Sequence, residues 1–394
     1  MRSQKIHLEQ TQPLMINVPK GFYRLYAAPH SLYAGRARAY LIKRNIPFEE
    51  FSVGHPSFVN EVLAKSKLFT IPTLVTPDGD VIRDGGAIVD HLEEMSGNLF
   101  SPDGCRQSIV SSLFELVGCE GLRRPAMHFR WNFPRENKAY LHYLFFHTLP
   151  ETDDRELKTA QVMDRLTKTT VLRGVTEENQ KLVESLYFEF IDALDEHFRC
   201  FPYLLGARPS RGDFGLISPL YGHLGRDPYP ARMMVTRTPR VSRWVERMNR
   251  PNQDAPEYFS VRTDFLNDDY IPETLLLTLK IVSEDFIPET RASVEFMNKW
   301  LSTHKPKTGE PASSDQASLP GMIEFTVRDT LFQAAVVPYR HLLLQAVQQT
   351  YDKHDASERK KIKTLLESCG MSDILDLRLS RRMGRKDNLE VWLD

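Results

Sequence analysis

The sequence predicts an α/β domain at residues 22–95, followed by a longer and mainly helical remainder. In the first part, short apolar runs and helical patterns follow the order strand, helix, strand, strand, strand, helix. In the second part, apolar residues recur at helical spacing over long stretches that loops with Pro, Gly and Ser separate. At 394 residues, the chain is long enough for two or three domains.

The composition limits the classes of partner that we expect. Apolar residues make up 41% and charged residues 26% of the chain, and the formal net charge is −1, which does not favour nucleic-acid binding. No apolar run reaches the roughly 20 residues that span a bilayer. The N-terminus lacks the apolar core of a secretory signal, and the cysteines (Cys105, Cys119, Cys200 and Cys369) are scattered without metal-ligand spacing. We therefore expect a cytoplasmic protein that binds no membrane, no nucleic acid and no metal.

The first three elements of the α/β domain follow one another closely. Phe22–Ala27 predicts a strand, Leu32–Arg44 a helix, and Ile46–Val53 a second strand. With the two strands and the helix that come next, this is the order of a thioredoxin-like unit.

A hairpin with a proline in it follows. Phe69–Thr76 predicts a strand that Pro72 interrupts, and a proline cannot donate to a ladder, so it belongs at an edge or a turn. A tight turn at residues 77–79 leads to a second strand at Val81–Arg83. Asp84 then precedes a helical pattern as an N-cap, and the two glycines after it predict backbone N–H groups open to a small anion.

This stretch resembles the second half of the N-terminal domain of glutathione S-transferases. In that family, a cis proline precedes the hairpin, here Ile71-Pro72, and an acidic residue and a serine open a helix of the form Glu-Ser-x-Ala-Ile. The corresponding residues here are DGGAI at 84–88, so Gly85 stands where the family has serine. The resemblance implies the thioredoxin-like fold and a glutathione site.

The helical remainder resembles the second domain of the same family. Glu177–Phe198 predicts a long amphipathic helix, and Ser210-x-x-Asp213 before an apolar run resembles the family's N-capping box and core helix. Pro239–Arg250 resembles the family's next helix. We therefore predict a lead-in at 1–20, a thioredoxin-like domain at 21–100, an all-α glutathione S-transferase C-terminal-like domain at 101–254 and a mainly helical extension at 255–394.

The extension is predicted from periodicity alone. Its expected elements are helices at Glu273–Ile287 and Glu289–His304, a loop at 305–320, a strand at Ile323–Val327, and helices at Pro338–Tyr351 and Ser357–Cys369.

Ser31 is the first candidate for activating the thiol of glutathione. SLYAGRAR at 31–38 resembles the run with which serine-type members of the family begin their first helix. A hydroxyl that donates to sulfur at a helix N-terminus stabilises the thiolate, which is the nucleophilic form. The alternative is that Ser31 only caps the helix. Tyr26, at the end of the first strand, is the second candidate, because tyrosine-type members use a tyrosine there.

The resemblance also assigns residues that would hold glutathione. Ile71 before Pro72 would pair with the cysteinyl part, Asp84 would accept the γ-glutamyl ammonium, the N–H groups of Gly85 and Gly86 would receive the γ-glutamyl carboxylate, and Lys67 or Lys65 would pair with the glycine carboxylate. The missing serine hydroxyl removes one hydrogen bond to a charged group, worth about 1.5–3 kcal/mol. Alternatively, Asp84 only caps a helix and the site is vestigial.

A polar and aromatic cluster is the candidate pocket for the second substrate. It consists of Arg124, His128, Arg130 and Trp131. The same residues would equally suit a brace between domains.

Two functions remain open on the sequence. The first is a glutathione transferase-like enzyme that uses glutathione as co-substrate and needs no metal. It would activate the thiol for attack on a small hydrophobic electrophile, and the family adds a homodimer and a role in detoxification. The alternative is a non-catalytic binding or assembly module, which Gly85 and the long extension favour.

Overall fold

The computed structural model describes residues 22–252, 254–260, 264–312 and 319–394. The predicted lead-in at 1–20 and the middle of the predicted loop at 305–320 lie outside the described residues.

The N-terminal domain is built on a four-stranded sheet in the order β2-β1-β3-β4. Its strands are β1 (Tyr23–Tyr26), β2 (Phe48–Phe51), β3 (Thr73–Val75) and β4 (Val81–Arg83). β1 runs parallel to β2 and antiparallel to β3, and β4 runs antiparallel to β3. This arrangement confirms the predicted thioredoxin-like fold.

The two faces of this sheet pack against different sets of side chains. Its helices are α1 (Ala34–Lys43), α2 (Leu63–Ser66, after a π-helical turn at Phe58–Val62) and α3 (Gly85–Met95). Successive strand residues point to opposite faces, so Leu25 joins the large core that contains α1 and α3. Tyr26 points the other way, into a small separate core with Phe58 and Val62.

The helical domain packs around one central helix. Its elements are α4 (Cys105–Leu116), a π-helical turn (Val117–Gly121), α5 (Arg123–Trp131), α6 (Pro134–Thr148), α7 (Arg155–Lys168), α8 (Gln180–His197), α9 (Arg211–Gly222), α10 (Pro228–Arg237) and α11 (Pro239–Met248). α9 crosses α4 so closely that a Cβ on Gly215 would lie 2.4 Å from the Cα of Glu115. Only glycine permits this approach.

The predicted capping box is present at the start of α9. The backbone N–H of Ser210 donates to the Asp213 carboxylate over 2.7 Å, and the Ser210 hydroxyl does so over 2.9 Å. The same carboxylate accepts from the Leu204 N–H and the Trp244 indole, each over 3.1 Å. Asp213 therefore ties the preceding loop and α11 to the N-terminus of the central helix.

The extension begins with one long helix where the sequence predicted two. α12 (Glu273–His304) runs unbroken for 32 residues with Pro288 inside it. Proline removes one backbone hydrogen bond from a helix. Buried side chains on both sides, including Phe286 and Val294, hold α12 in the core, and this packing outweighs the local preference for a break.

The rest of the extension contributes side chains to hydrophobic cores that also contain residues of the preceding domains. It consists of β5 (Met322–Val327), β6 (Thr330–Ala335), α13 (Pro338–Asp352), α14 (Ala356–Ser368), β7 (Met383–Lys386) and β8 (Leu389–Trp392). Leu344 of α13 and Ile362 of α14 belong to the large core, whereas β5 and Trp392 form a second core with α12. The sequence predicted β5, α13 and α14 but missed β6, β7 and β8.

Several histidines are buried in the neutral form. Burial lowers the pKa of His30 and His341 to about 3 and that of His197 to about 4. In the unfolded chain the pKa returns to about 6.5. Below that pH the unfolded state therefore binds more protons than the native state, and each of these histidines makes stability fall as the pH falls.

We expect His341→Gln to remove one such contribution. His341 lies 3.0 Å from the Ser293 hydroxyl, and glutamine keeps a polar group there but does not titrate. Between about pH 6.5 and pH 5 the wild type should lose about 2 kcal/mol more of its free energy of unfolding than the variant. Urea unfolding at about pH 7 and about pH 5 measures this. Asp213, whose pKa burial raises to about 6, acts in the opposite direction but equally in both proteins. Identical pH dependence in both proteins would contradict the prediction.

Candidate functional site

Three segments predicted to form a site meet at one end of the two central strands of the sheet, β1 and β3. Tyr26, at the end of β1, is paired with Thr73 at the start of β3. The peptide bond between Ile71 and Pro72 is cis, as the family resemblance implies. The N–H of Asp84 donates to the carbonyl of Pro72 over 3.0 Å. The topology thus brings the β1–α1 turn, the proline and the N-terminus of α3 together.

Ser31 lies in the β1–α1 turn without capping α1. The helix begins at Ala34 with Tyr33 in the N-cap position, so the alternative interpretation of Ser31 as an N-cap is wrong. The Ser31 N–H donates to the Ala28 carbonyl over 2.9 Å, and a Cβ on Gly222 would lie 2.5 Å from the Ser31 carbonyl oxygen. Within the described residues its half-buried hydroxyl makes no hydrogen bond. These contacts fix the backbone of the turn, and the Ser31 hydroxyl has no protein partner among the described residues.

Tyr26 lies in a packed environment. Its ring contacts Phe51 and Phe58, and its hydroxyl lies 2.7 Å from the Ser57 hydroxyl. The side chain is fully buried on the face of the sheet opposite to α1. The Tyr26 side chain therefore packs in the core on that face of the sheet.

The residues predicted to hold the cysteinyl and glycine parts differ in their surroundings. Among the described residues, nothing hydrogen-bonds to the N–H or C=O of Ile71, so both groups are available to a peptide. Lys67 is exposed at the C-terminal end of α2 with φ +67°. Lys65 donates to the Gly79 carbonyl over 2.9 Å.

Asp84 is the N-cap of α3, as predicted. Its carboxylate accepts from the N–H groups of Gly86 over 3.0 Å and Ala87 over 3.2 Å. Its φ of +83° is rare for a residue with a side chain, and such conformations occur preferentially at functional sites. Burial acts to raise its pKa, but the guanidinium groups of Arg385 and Arg36 outweigh burial and hold the pKa below its usual value.

The two glycines after Asp84 are not as open as the sequence predicted. The Gly86 N–H already donates to Asp84, and a Cβ on Gly86 would lie 3.2 Å from both terminal nitrogens of Arg36. A Cβ on Gly85 would lie 3.1 Å from the Tyr33 carbonyl oxygen and 3.4 Å from the Cδ of Arg36. The prediction of an open Gly86 amide is therefore wrong, because the Asp84 carboxylate already accepts from it, and the crowding around Gly85 disfavours a serine at that position.

Arg36 itself is held from several sides. It is buried, forms an ion pair with Glu115 and donates to the sulfur of Cys119 over 3.3 Å. Its backbone N–H donates to the Ser218 hydroxyl over 3.1 Å. Arg36 thus fixes α1 against α4 and α9 beside Asp84.

A second arginine reaches Asp84 from the far end of the chain. β7 and β8, joined by a turn at Asp387 and Asn388, form a C-terminal hairpin over residues 383–392. Arg385 on β7 forms an ion pair with Asp84. The sequence analysis assigned no role to Arg385. Asp-Asn between two short runs, here with φ of +49° and +64°, is a turn signal that could have revealed the hairpin.

The hairpin also contacts the edge strand β4. The Arg83 guanidinium contacts both carboxylate oxygens of Glu390, over 2.7 and 2.8 Å. The Arg83 N–H donates to the Asn388 side-chain carbonyl over 2.9 Å, and the Asn388 amide donates to the Val81 carbonyl over 2.9 Å. The hairpin therefore satisfies backbone groups that an edge strand otherwise leaves unpaired.

Two of the predicted pocket residues face other elements. Arg124 pairs with Asp285 and, over 2.8 Å, with Glu289, both on α12. His128 is fully buried and lies 2.9 Å from the Glu184 carboxylate on α8. Burial lowers the pKa of His128, although Glu184 acts to raise it.

The other two predicted pocket residues lie under the Ser31 turn. Arg130 donates to Asp227 over 2.6 and 2.9 Å and to the His30 carbonyl over 2.8 Å. Trp131 stacks on Phe145 with ring centroids 5.9 Å apart. The four residues therefore do not line one pocket, and Arg130 braces the turn that carries Ser31.

We expect Arg130→Ala to lower the free energy of unfolding by about 3–5 kcal/mol, because it leaves the buried Asp227 without its charge partner. Arg237→Ala is the matched control. Arg237 pairs with Asp192 at the surface, and its loss should cost less than about 1 kcal/mol. Urea unfolding at neutral pH compares the two variants. Equal and small losses would contradict the role of Arg130 as a brace.

Two searches of the described residues gave negative results. No group of three or more His, Cys, Asp or Glu side chains there is arranged to hold a metal ion. In the same residues, no helix combines the length and the apolar character needed to cross a membrane.

Comparison with known proteins identifies the N-terminal domain. Residues 25–98 match the family model described as glutathione S-transferase, N-terminal domain. This confirms the resemblance for that domain. No curated protein matches the sequence.

The solved structures that match this chain include two transferases and a β-etherase. A glutathione S-transferase from Methylobacterium radiotolerans, in complex with glutathione sulfonate, is 17% identical over 62% of this chain and 100% of that chain, with a TM-score of 0.36. A glutathione transferase from Phanerochaete chrysosporium is 12% identical over 58% of this chain and 96% of that chain, with a TM-score of 0.42. A β-etherase from Sphingobium is 16% identical over 59% and 96%, with a TM-score of 0.39.

Proposed function

We propose that this chain is a glutathione transferase-like enzyme in which Ser31 stabilises the thiolate of glutathione. The observation that carries the proposal is that the Ser31 turn, the cis Ile71–Pro72 bond and Asp84 meet at one end of the central strands β1 and β3. The free thiol has a pKa of about 8.5, so most of it is protonated at neutral pH. A hydrogen bond from the unpartnered Ser31 hydroxyl favours the anion.

Backbone and carboxylate groups at the same end of these strands would hold the peptide. The free N–H and C=O of Ile71 suit the cysteinyl part, and the carboxylate of Asp84 suits the γ-glutamyl ammonium. As the first helical amide of α3, the Gly85 N–H has no acceptor within its own helix and suits the γ-glutamyl carboxylate. Lys67, whose side chain is exposed to solvent, would pair with the glycine carboxylate.

The remaining parts of the proposal are carried by the family resemblance. They are a small hydrophobic electrophile as second substrate, a homodimer and a detoxifying role; the proposed cytoplasmic location rests on the N-terminal sequence and the scattered cysteines. The α6–α7 pair reaches the N-terminal domain, where the Ser52 hydroxyl contacts the Thr148 carbonyl.

One observation favours the second candidate function, a non-catalytic binding or assembly module. Asp84 already has a cationic partner in Arg385, and the Gly86 N–H is already used. In a module of this kind the former ligand groups would serve only to hold the extension, and glutathione would not bind.

Ser31→Ala tests the catalytic assignment. We expect about a 100-fold loss of glutathione-dependent turnover, because one hydrogen bond to the developing thiolate is lost. The dissociation constant of glutathione should change little. Turnover with a chromogenic aryl halide and calorimetric titration with glutathione measure the two quantities.

Tyr26→Phe is the control for this experiment. It removes the hydroxyl bonded to Ser57, so we expect a loss of about 1 kcal/mol in stability and unchanged turnover. Unchanged turnover in Ser31→Ala together with a loss in Tyr26→Phe would reverse the assignment.

A further inference from the structure

The carboxylate of Asp84 already has a cationic partner in this structure. Gly86 and Ala87 donate to its Oδ1 atom, and Arg385 pairs with the same atom. A primary ammonium and a guanidinium are both cations that need this carboxylate. Arg385 therefore occupies the position that the proposed function gives to the ammonium of glutathione.

The base of the C-terminal hairpin is fixed independently of Asp84. Trp392 is fully buried and stacks on Trp300 of α12, with ring centroids 6.1 Å apart. The Met383 N–H donates to the side-chain oxygen of Gln345 on α13 over 2.9 Å. These contacts hold the hairpin beside the site without any contribution from Asp84.

Among the described residues, polar side chains in the tip of the hairpin (residues 385–390) contact the N-terminal domain, and the Glu390 carbonyl accepts from the Ala312 N–H over 2.8 Å. Arg385 pairs with Asp84, Glu390 pairs with Arg83, and Asn388 bonds to β4. Arg385 keeps 26% of its side chain exposed, so solvent reaches the ion pair. A contact between charges that water reaches can be exchanged for a ligand at less cost than a fully buried one.

We propose that the C-terminal hairpin competes in cis with glutathione for Asp84. When no peptide is bound, Arg385 supplies the positive charge on Asp84. When glutathione binds, its ammonium replaces Arg385 as the partner of Asp84, and the tip of the hairpin separates from β4. The proposal rests on the proposed function, since it requires that glutathione uses Asp84.

Competition of this kind weakens the apparent affinity. If only a fraction of the molecules has an open site, the dissociation constant rises by the inverse of that fraction. Glutathione should therefore bind weakly to the wild type. Any substitution that weakens the docking of the tip should strengthen binding.

Calorimetric titration of the full chain with reduced glutathione tests this. We expect Arg385→Ala and Glu390→Gln each to lower the dissociation constant about tenfold or more. Glu390→Gln matters because it weakens the pair with Arg83, away from the groups that would contact glutathione, and leaves Asp84 paired. Arg382→Ala is the matched control: it removes a nearby exposed arginine and should leave the constant unchanged. Thermal unfolding checks that each variant is folded.

Two other outcomes are distinguishable. If the wild type, Arg385→Ala and Glu390→Gln bind glutathione equally, competition by the hairpin is overturned and the proposed function stands. If folded wild type and both folded variants fail to bind at millimolar glutathione, the competition and the proposed function are both overturned.

Discussion

The buried carboxylate of Asp84 is the group on which the geometry of this site depends. A buried charge is costly unless it is paired and hydrogen-bonded. Asp84 meets this requirement with the first amides of α3, with Arg36 nearby on α1 and with Arg385 from the end of the chain. One side chain therefore links the cap of a helix, the neighbouring helix and the C-terminal hairpin. Its positive φ shows that the backbone accepts strain to put the carboxylate there.

The same device, an arginine paired across elements distant in sequence, holds the extension to the body. Arg124 of α5 pairs with two acids on α12, and Arg83 of β4 pairs with Glu390 on β8. Buried pairs of this kind add little net stability compared with apolar packing, but breaking one costs about 3–5 kcal/mol. They therefore specify how the extension docks.

Features with local signals could be predicted from the sequence, and long-range pairings could not. The succession of strands and helices in the N-terminal domain, the proline before the hairpin, the Asp84 cap and the Ser210–Asp213 box all follow from residues a few positions apart. The unbroken α12 was missed because tertiary packing outweighed Pro288. The crowding of Gly86 by the Arg36 side chain and the separate roles of Arg124 and Arg130 depend on partners dozens to hundreds of residues away. No local sequence pattern marks these contacts.

Hydrogen exchange of the backbone amides at 383–392, with and without glutathione, tests most directly whether ligand and hairpin exclude each other. Linkage requires that if the hairpin weakens glutathione binding, glutathione weakens the docking of the hairpin by the same factor. We therefore expect faster exchange at the tip when glutathione is present, the reverse of the protection that a bound ligand usually gives. Slower or unchanged exchange at a saturating concentration of glutathione would contradict the competition for Asp84.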